Sequence, residues 1–411
     1  MGWGAGRDRR FQPNPLPHPQ MRALLLLALA ALGAPISLAA RQASPNPGRL
    51  VIVGGALNAN NEAVYRTILE ARAGSGPFCV IPTAGATPDS AMDGPAAIFN
   101  RYGGPGTAKG VLISAKRPET ARDPAVVAQL RSCSGFFFIG GVQSRVTAAF
   151  RPQGKSTPAY EAVMQRWRDG AVVSGSSAGA AIMSDPMIVN GTSAVAFTRG
   201  VRRITDGAAQ DPDDTTSAFN VSQGLGLFPA ALADQHFLSR GRFGRLLVAL
   251  LDLGTFDLAF GIDENTALVV DGNAVRTAGA SGVTIFDARA ARRNGQSATG
   301  IVMHLMGDGD AFDLTTRALT QRQGKTPVAL ATGDSATVIA PVNIFAPWAF
   351  LRTLDGLSRS PQTAFTFDVN GGQIVVNKSA VFRAVRAPGL GVQNTAAGLG
   401  MTGMTIDVRR P

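Results

Sequence analysis

The feature that most limits how this chain can fold is a recurrence of short apolar runs that stop at glycine or proline. Leu50-Val51-Ile52-Val53 ends at Gly54-Gly55, Phe78-Cys79-Val80-Ile81 at Pro82, and Phe136-Phe137-Phe138-Ile139 at Gly140-Gly141. Val111-Leu112-Ile113 and Ala171-Val172-Val173 read the same way. Runs that are apolar at every position fit strands buried on both faces. Helical stretches separate them, one over 61–72 and one after Thr157. In the second, Thr157 can cap, Pro158 fits the first turn, Tyr160, Val163, Met164 and Trp167 share a face, and Gly170 terminates. This alternation predicts an α/β protein with a mostly parallel, doubly wound sheet. A later helix holds Leu246, Leu247, Ala249 and Leu250 and stops at Gly254, with strands expected at 258–261 and 267–270. Beyond about Ala318 the pattern turns to short alternating runs such as Ala364-Phe365-Thr366-Phe367 and Gln373-Ile374-Val375-Val376. The reading is an α/β domain over 49–318 and a small β-rich C-terminal extension over 319–411.

The N-terminus reads differently. Met21-Arg22 precedes an apolar run over 23–32, and Leu38-Ala39-Ala40 precedes Arg41, the order of a secretory signal peptide. Residues 1–40 are therefore expected to be leader and signal, with Met1 and Met21 both open as the start, and 41–48 a linker. The apolar run is short for a membrane span, so export without stable membrane association is expected. Arg7, Arg9, Arg10, Arg22 and Asp8 leave with that segment, which lowers the net charge from +11 to +8. The excess suits attraction to carboxylate-rich material. No basic helix, aromatic stacking pattern or zinc spacing points to nucleic acid or metal. Cys79 and Cys133 could pair in an exported protein or remain two buried thiols. Past residue 40 only His236 and His304 remain for imidazole chemistry.

Gly175-Ser176-Ser177-Ala178-Gly179 follows an apolar strand and leads into a run of small residues. A G-x-S-x-G sequence in a strand–turn–helix setting places its serine on a sharp turn, with close backbone approach on both sides. Ser177 is the expected nucleophile, and the Ala178 N–H points to an oxyanion site, with Gly141 as the second donor. Asp234-Gln235-His236-Phe237 follows another apolar run and precedes Arg240, Arg242 and Arg245. A neutral His236 can take the serine proton and return it to a leaving amine. Guanidinium groups grip carboxylates in pairs. Gln143, after the double glycine, could orient substrate. Acyl transfer through serine needs no cofactor.

Together Gly140-Gly141-x-Gln143, Ser177-Ala178-Gly179-Ala180, the Asp234–Arg245 stretch and Gly261-Ile262-Asp263-Glu264-Asn265-Thr266 resemble the cyanophycinases, in the serine peptidase family that also holds the aspartyl dipeptidases. The resemblance runs from about 50 to about 318. It implies a flavodoxin-like sheet like that of class I glutamine amidotransferases. It also implies exopeptidase cleavage of cyanophycin, a polyaspartate bearing arginine on each side-chain carboxylate, into β-Asp-Arg dipeptides. Ser177 would then be nucleophile and His236 base, with Gln143, Asp234, Gln235, Arg240, Arg242 and Arg245 holding substrate. The export signal suggests the extracellular type, and a homodimer is compatible with it.

Two positions depart from the family pattern. Its glutamate, expected about eighteen residues after the nucleophile, falls at Ala194-Val195, and its aspartate after Gly-Gly is Val142. The segment over 198–220 reads as an insertion carrying Asp206, Asp211, Asp213 and Asp214. Each of these, and also Asp263 and Glu264, is a candidate acid. The rival readings are an isoaspartyl or aspartyl dipeptidase and a non-catalytic binding protein that has lost the acid.

Overall fold

A computed structural model describes residues 47–204, 218–389 and 396–411. The expected leader and signal, most of the linker, and Asp206, Asp211, Asp213 and Asp214 lie outside these residues. Five parallel strands carry the front of the fold: β1 (Leu50–Val53), β2 (Phe78–Ile81), β3 (Ala108–Gly110), β4 (Gly135–Phe138) and β5 (Val172–Ser176). They lie in the order β1-β5-β4-β2-β3. Alternate residues reach opposite faces. Leu50, Ile52, Cys79, Ile81, Phe136, Phe138 and Val173 pack with the helices Pro124–Ser132, Gln143–Phe150 and Pro158–Arg168. Val51, Val53, Phe78, Val80, Phe137 and Val172 pack with Glu62–Glu70 and Asp93–Gly103. Both faces are therefore covered, as the α/β expectation requires. The Thr157 hydroxyl accepts from the Tyr160 N–H, so the predicted cap forms. Cys79 and Cys133, both fully buried, form a disulfide.

The apolar triplet Val111-Leu112-Ile113 is not a strand. The edge strand ends at Gly110, and only the Val111 N–H continues onto β2, at the Val80 carbonyl, 2.9 Å away. Its neighbour β2 stops at Ile81 before Pro82, which leaves no ladder to extend.

A small sheet of β6 (Met187–Asn190), β7 (Val201–Arg203) and β8 (Phe219–Ser222) follows β5, in the order β6-β8-β7. Beyond it come β9 (Leu232–Asp234) and β10 (Leu258–Ile262), joined in parallel. The chain then returns to the first sheet. There β11 (Thr266–Asp271) pairs antiparallel with β1, followed outward by β12 (Ala274–Gly279), then two later strands, β16 (Ala311–Asp313) and β17 (Leu319–Thr320). In the second sheet β13 (Val283–Asp287) pairs with β10, and β15 (Ser297–Met306) with β13 and with the short β14 (Arg292–Asn294).

The C-terminal residues are β-rich, as expected, but their strands extend this second sheet. β21 (Leu399–Arg409) pairs with β15 and with β20 (Gly372–Arg386), which in turn pairs with β18 (Thr326–Pro327) and β19 (Ala364–Val369). Leu246, Leu250, Met303, Leu354, Ile374 and Ile406 share one core. Apolar packing therefore runs continuously through residue 318. Among the described residues no helix is long and apolar enough to cross a membrane, and no group of acidic, histidine or cysteine residues could hold a metal ion.

Candidate active site

Strand β5 delivers Ser177 onto a turn with φ +56°, left-handed territory that only a constrained site imposes on a serine. The constraints are close backbone contacts. A Cβ on Gly175 would lie 2.4 Å from the Gly179 carbonyl oxygen, and one on Gly179 would lie 2.2 Å from that of Phe138. Only glycine fits either position. The Ser177 N–H donates to the Val53 carbonyl, 3.0 Å away, which pins the turn to β1. Ala178 then opens the one-turn helix Ala178–Ala181, where its N–H has no preceding helical carbonyl to bond.

His236 follows β9 and also has positive φ, at +48°. Its N–H donates to the Gly54 carbonyl, 2.6 Å away. The side chain reaches across from the second sheet to the first. The Ser177 hydroxyl donates to His236 Nε2 at 2.9 Å, and His236 Nδ1 donates to Glu264 Oε1 at 2.6 Å. Serine, imidazole and carboxylate thus form one continuous hydrogen-bonded line. The carboxylate on His236 is not at 194–195, within the helix Ser193–Arg199. It sits in the link between β10 and β11, next to Asp263, and was one of several open candidates in the sequence.

Burial fixes the protonation state. It is the largest influence on His236, pushing its pKa down from 6.5 to about 4; the hydrogen bond to Glu264 opposes this, and the Arg240 and Arg242 cations assist it. The imidazole is therefore neutral at pH 7, the state a base requires.

Asp263 has a different task. Its Oδ1 accepts from the Leu238 and Ser239 N–H groups at 3.1 and 3.0 Å, and its Oδ2 from the Ser281 hydroxyl at 2.7 Å. Burial raises its pKa against those bonds. It clamps the turn that carries His236.

A residue missed in the sequence is Gly55. It reads there only as the end of a strand, yet a Cβ at 55 would sit 2.3 Å from the His236 ring atoms Cε1 and Nε2. The imidazole lies flat on bare backbone, a contact between residues far apart in the chain that no local pattern announces.

The Gly140-Gly141 turn lies against the serine, with a Cβ on Gly140 falling 3.3 Å from Ser177 Cβ. Gly141 has φ +137° and presses on the Ala84 carbonyl, which accepts the Val142 N–H at 2.9 Å. Val142, standing where the resembling family has aspartate, begins the helix Gln143–Phe150 with no side-chain cap.

The expected substrate-holding residues divide. Arg240 is at the surface, its Nε 3.8 Å from Glu264 Oε1. The other five are buried and tied into the protein. Asp234 and Arg245 form a two-pronged ion pair at 2.8 and 2.6 Å, and Arg245 also donates to the Gly191 carbonyl. Arg242 donates to the carbonyl and the side-chain oxygen of Gln235. Gln143 donates to the Ile188 and Val189 carbonyls at 3.0 and 2.7 Å, and its Oε1 is buried without a partner among the described residues. These groups are 1–6 % exposed. They brace β6, β9 and the helix Phe243–Leu253 around the site, because so polar a cluster can be buried only when its members satisfy one another. His304 lies apart, its Nδ1 2.9 Å from the Thr402 hydroxyl.

The arrangement can activate a hydroxyl and protonate a leaving group. No family model matches the chain. It is 28% identical over 296 residues to the cyanophycinase of Nostoc sp., covering 69% of this chain and 91% of that one. It is 29% identical over 301 residues to the cyanophycinase of Synechococcus elongatus, covering 70% and 86%. Among solved structures, a peptidase from an acI-B1 actinobacterium aligns with TM-score 0.47 and 20% identity over 66% of this chain and 98% of that one. A putative peptidase E protein from Listeria monocytogenes aligns with TM-score 0.35 and 13% identity, covering 57% and 98%.

Proposed function

We propose that this chain is a serine peptidase of the cyanophycinase kind, exported, which hydrolyses cyanophycin to β-Asp-Arg dipeptides through an acyl-enzyme on Ser177. The observation that carries this reading is the unbroken line from the Ser177 hydroxyl through His236 to Glu264, with links of 2.9 and 2.6 Å. As the serine oxygen attacks the scissile carbonyl, its proton passes to His236 Nε2 and the imidazolium is held by Glu264. The Ala178 and Gly141 N–H groups receive the oxyanion. His236 then returns the proton to the leaving nitrogen, and water, activated by the same imidazole, releases the acyl group. Arg240, at the mouth, meets a substrate carboxylate. A carboxylate on Nδ1 weighs against the reading of a binding protein that has lost its acid.

The N-terminal apolar run and the Cys79–Cys133 pair support export into an oxidising compartment. The test is incubation of the purified protein with insoluble cyanophycin and mass analysis of the supernatant. β-Asp-Arg is expected from wild type and not from Ser177→Ala. Cleavage of isoaspartyl dipeptides with intact granules would move the assignment to the dipeptidase reading.

A further inference from the structure

The carbonyl end of the helix Phe243–Leu253 gathers arginines that the chemistry above does not use. Arg293 donates to the Leu251 carbonyl at 2.6 Å, and Arg203 to the Thr255 hydroxyl at 3.1 Å. Arg289 and Arg293 line an open hollow of about 540 Å³ together with Thr255 and Asp257. Arg203, Arg289 and Arg293 are all exposed, on two separate segments. Arg293 caps the helix carbonyls, while Arg289 lies beside Asp287, 3.8 Å away. Asp257 is half exposed, with one oxygen held by Arg317 at 3.0 Å. The hollow therefore offers two guanidinium groups beside one accessible carboxylate.

We propose that this hollow is a docking site for the polymer itself, remote from the catalytic serine. The proposal rests on the cyanophycin reading. That polymer carries a free carboxylate and a guanidinium on every repeat, and the hollow presents the complementary set. Strand β10 connects the two places. Asp257 precedes it, and Asp263 and Glu264 follow it at the catalytic end. Its five residues span about 17 Å at roughly 3.3 Å per residue. A polyaspartate advancing about 3.5 Å per residue needs more than about five repeats to occupy both places. Long chains would gain from the second contact and very short ones would not.

The test uses full-length protein with Ser177→Ala, so that binding is read without hydrolysis. Its co-sedimentation with insoluble cyanophycin is compared with that of the same protein carrying Arg289→Ala and Arg293→Ala, both exposed positions. A second variant, Arg289→Glu, covers local repacking. The expected result is at least tenfold weaker granule binding for the double variant and at least as large a loss for Arg289→Glu, with the difference shrinking in high salt. In the catalytically intact protein the same changes leave turnover of a soluble two-repeat oligomer unchanged. Granule binding within twofold of the parent, or no binding by the parent, overturns the docking site. Failure of the cyanophycin reading shows separately, as wild type that binds granules through these arginines yet releases no dipeptide.

Discussion

Replacing Glu264 with glutamine removes one charge and leaves the shape, so it isolates what the acid contributes. The His236 Nδ1 and Glu264 Oε1 atoms are 2.6 Å apart, which places the charge centres of an imidazolium and the carboxylate about 4 Å apart. At the effective dielectric near 20 that suits a partly exposed pair, their attraction is about 4 kcal/mol. Glu264 is about one-third exposed, so water recovers part of this. A net loss of roughly 3–4 kcal/mol corresponds to a fall of about 10²–10³ in kcat. KM should stay within a few-fold, because the imidazolium exists only near the transition state. The assay is steady-state release of β-Asp-Arg from soluble cyanophycin, with far-ultraviolet circular dichroism to show the fold unchanged. A Glu264→Gln protein with kcat within threefold of wild type would refute the acid assignment, since no other carboxylate among the described residues bonds His236.

Other outcomes follow from the same geometry. With the His236 pKa near 4, log kcat/KM should stay flat from pH 7 to about 5 and fall only near 4; Arg240→Ala, which removes a cation that depresses this value, should move the acid limb upward. Gly55→Ala must displace the ring, and a shift of about 1 Å in a catalytic group costs on the order of a hundredfold in kcat; because Gly55 has φ +108°, the melting temperature should fall as well. His236 and His304 are both pushed from 6.5 to about 4 mainly by burial. The unfolded chain then binds the extra protons, so stability is full above pH 6.5 and is lost as pH falls toward 4, by about 3 kcal/mol for each histidine; urea titrations at pH 7 and pH 5 test the sign. Cys79→Ser with Cys133→Ser opens a cross-link spanning 54 residues, which should lower stability by about 4 kcal/mol on the loop-entropy scale, seen as a reduced urea midpoint.

The parts of this fold written in local pattern were legible. Strands buried on both faces are apolar at every position, so β1, β2, β4 and β5 stand out, and capping made the helix Pro158–Arg168 readable from Thr157 and Pro158. Ser177 and His236 could be found because their surroundings are chemically unusual. Their meeting was expected from their roles as nucleophile and base, but across the edge of one sheet, whereas it joins the ends of strands in two different sheets. Glu264 stood in a segment that the resemblance singled out, yet it was one acid among several, because its bond to His236 joins residues 28 apart that no local pattern connects. The buried arginines misled for a physical reason. A guanidinium has the same chemistry toward a substrate carboxylate as toward Asp234, and only the packing of Arg245 against β9 decides between them. The tail over 319–411 alternates as an exposed sheet would, but the sequence does not say that β15 is the strand it covers.

The most direct test of the central claim needs no natural substrate. A fluorophosphonate probe reacts only with a serine whose hydroxyl is activated by a base, and intact-mass analysis followed by peptide mapping locates the adduct. A single adduct on Ser177 is predicted, formed at least a hundredfold more slowly in His236→Ala. An unlabelled chain, or labelling of Ser177 at an unchanged rate without the imidazole, would contradict the account.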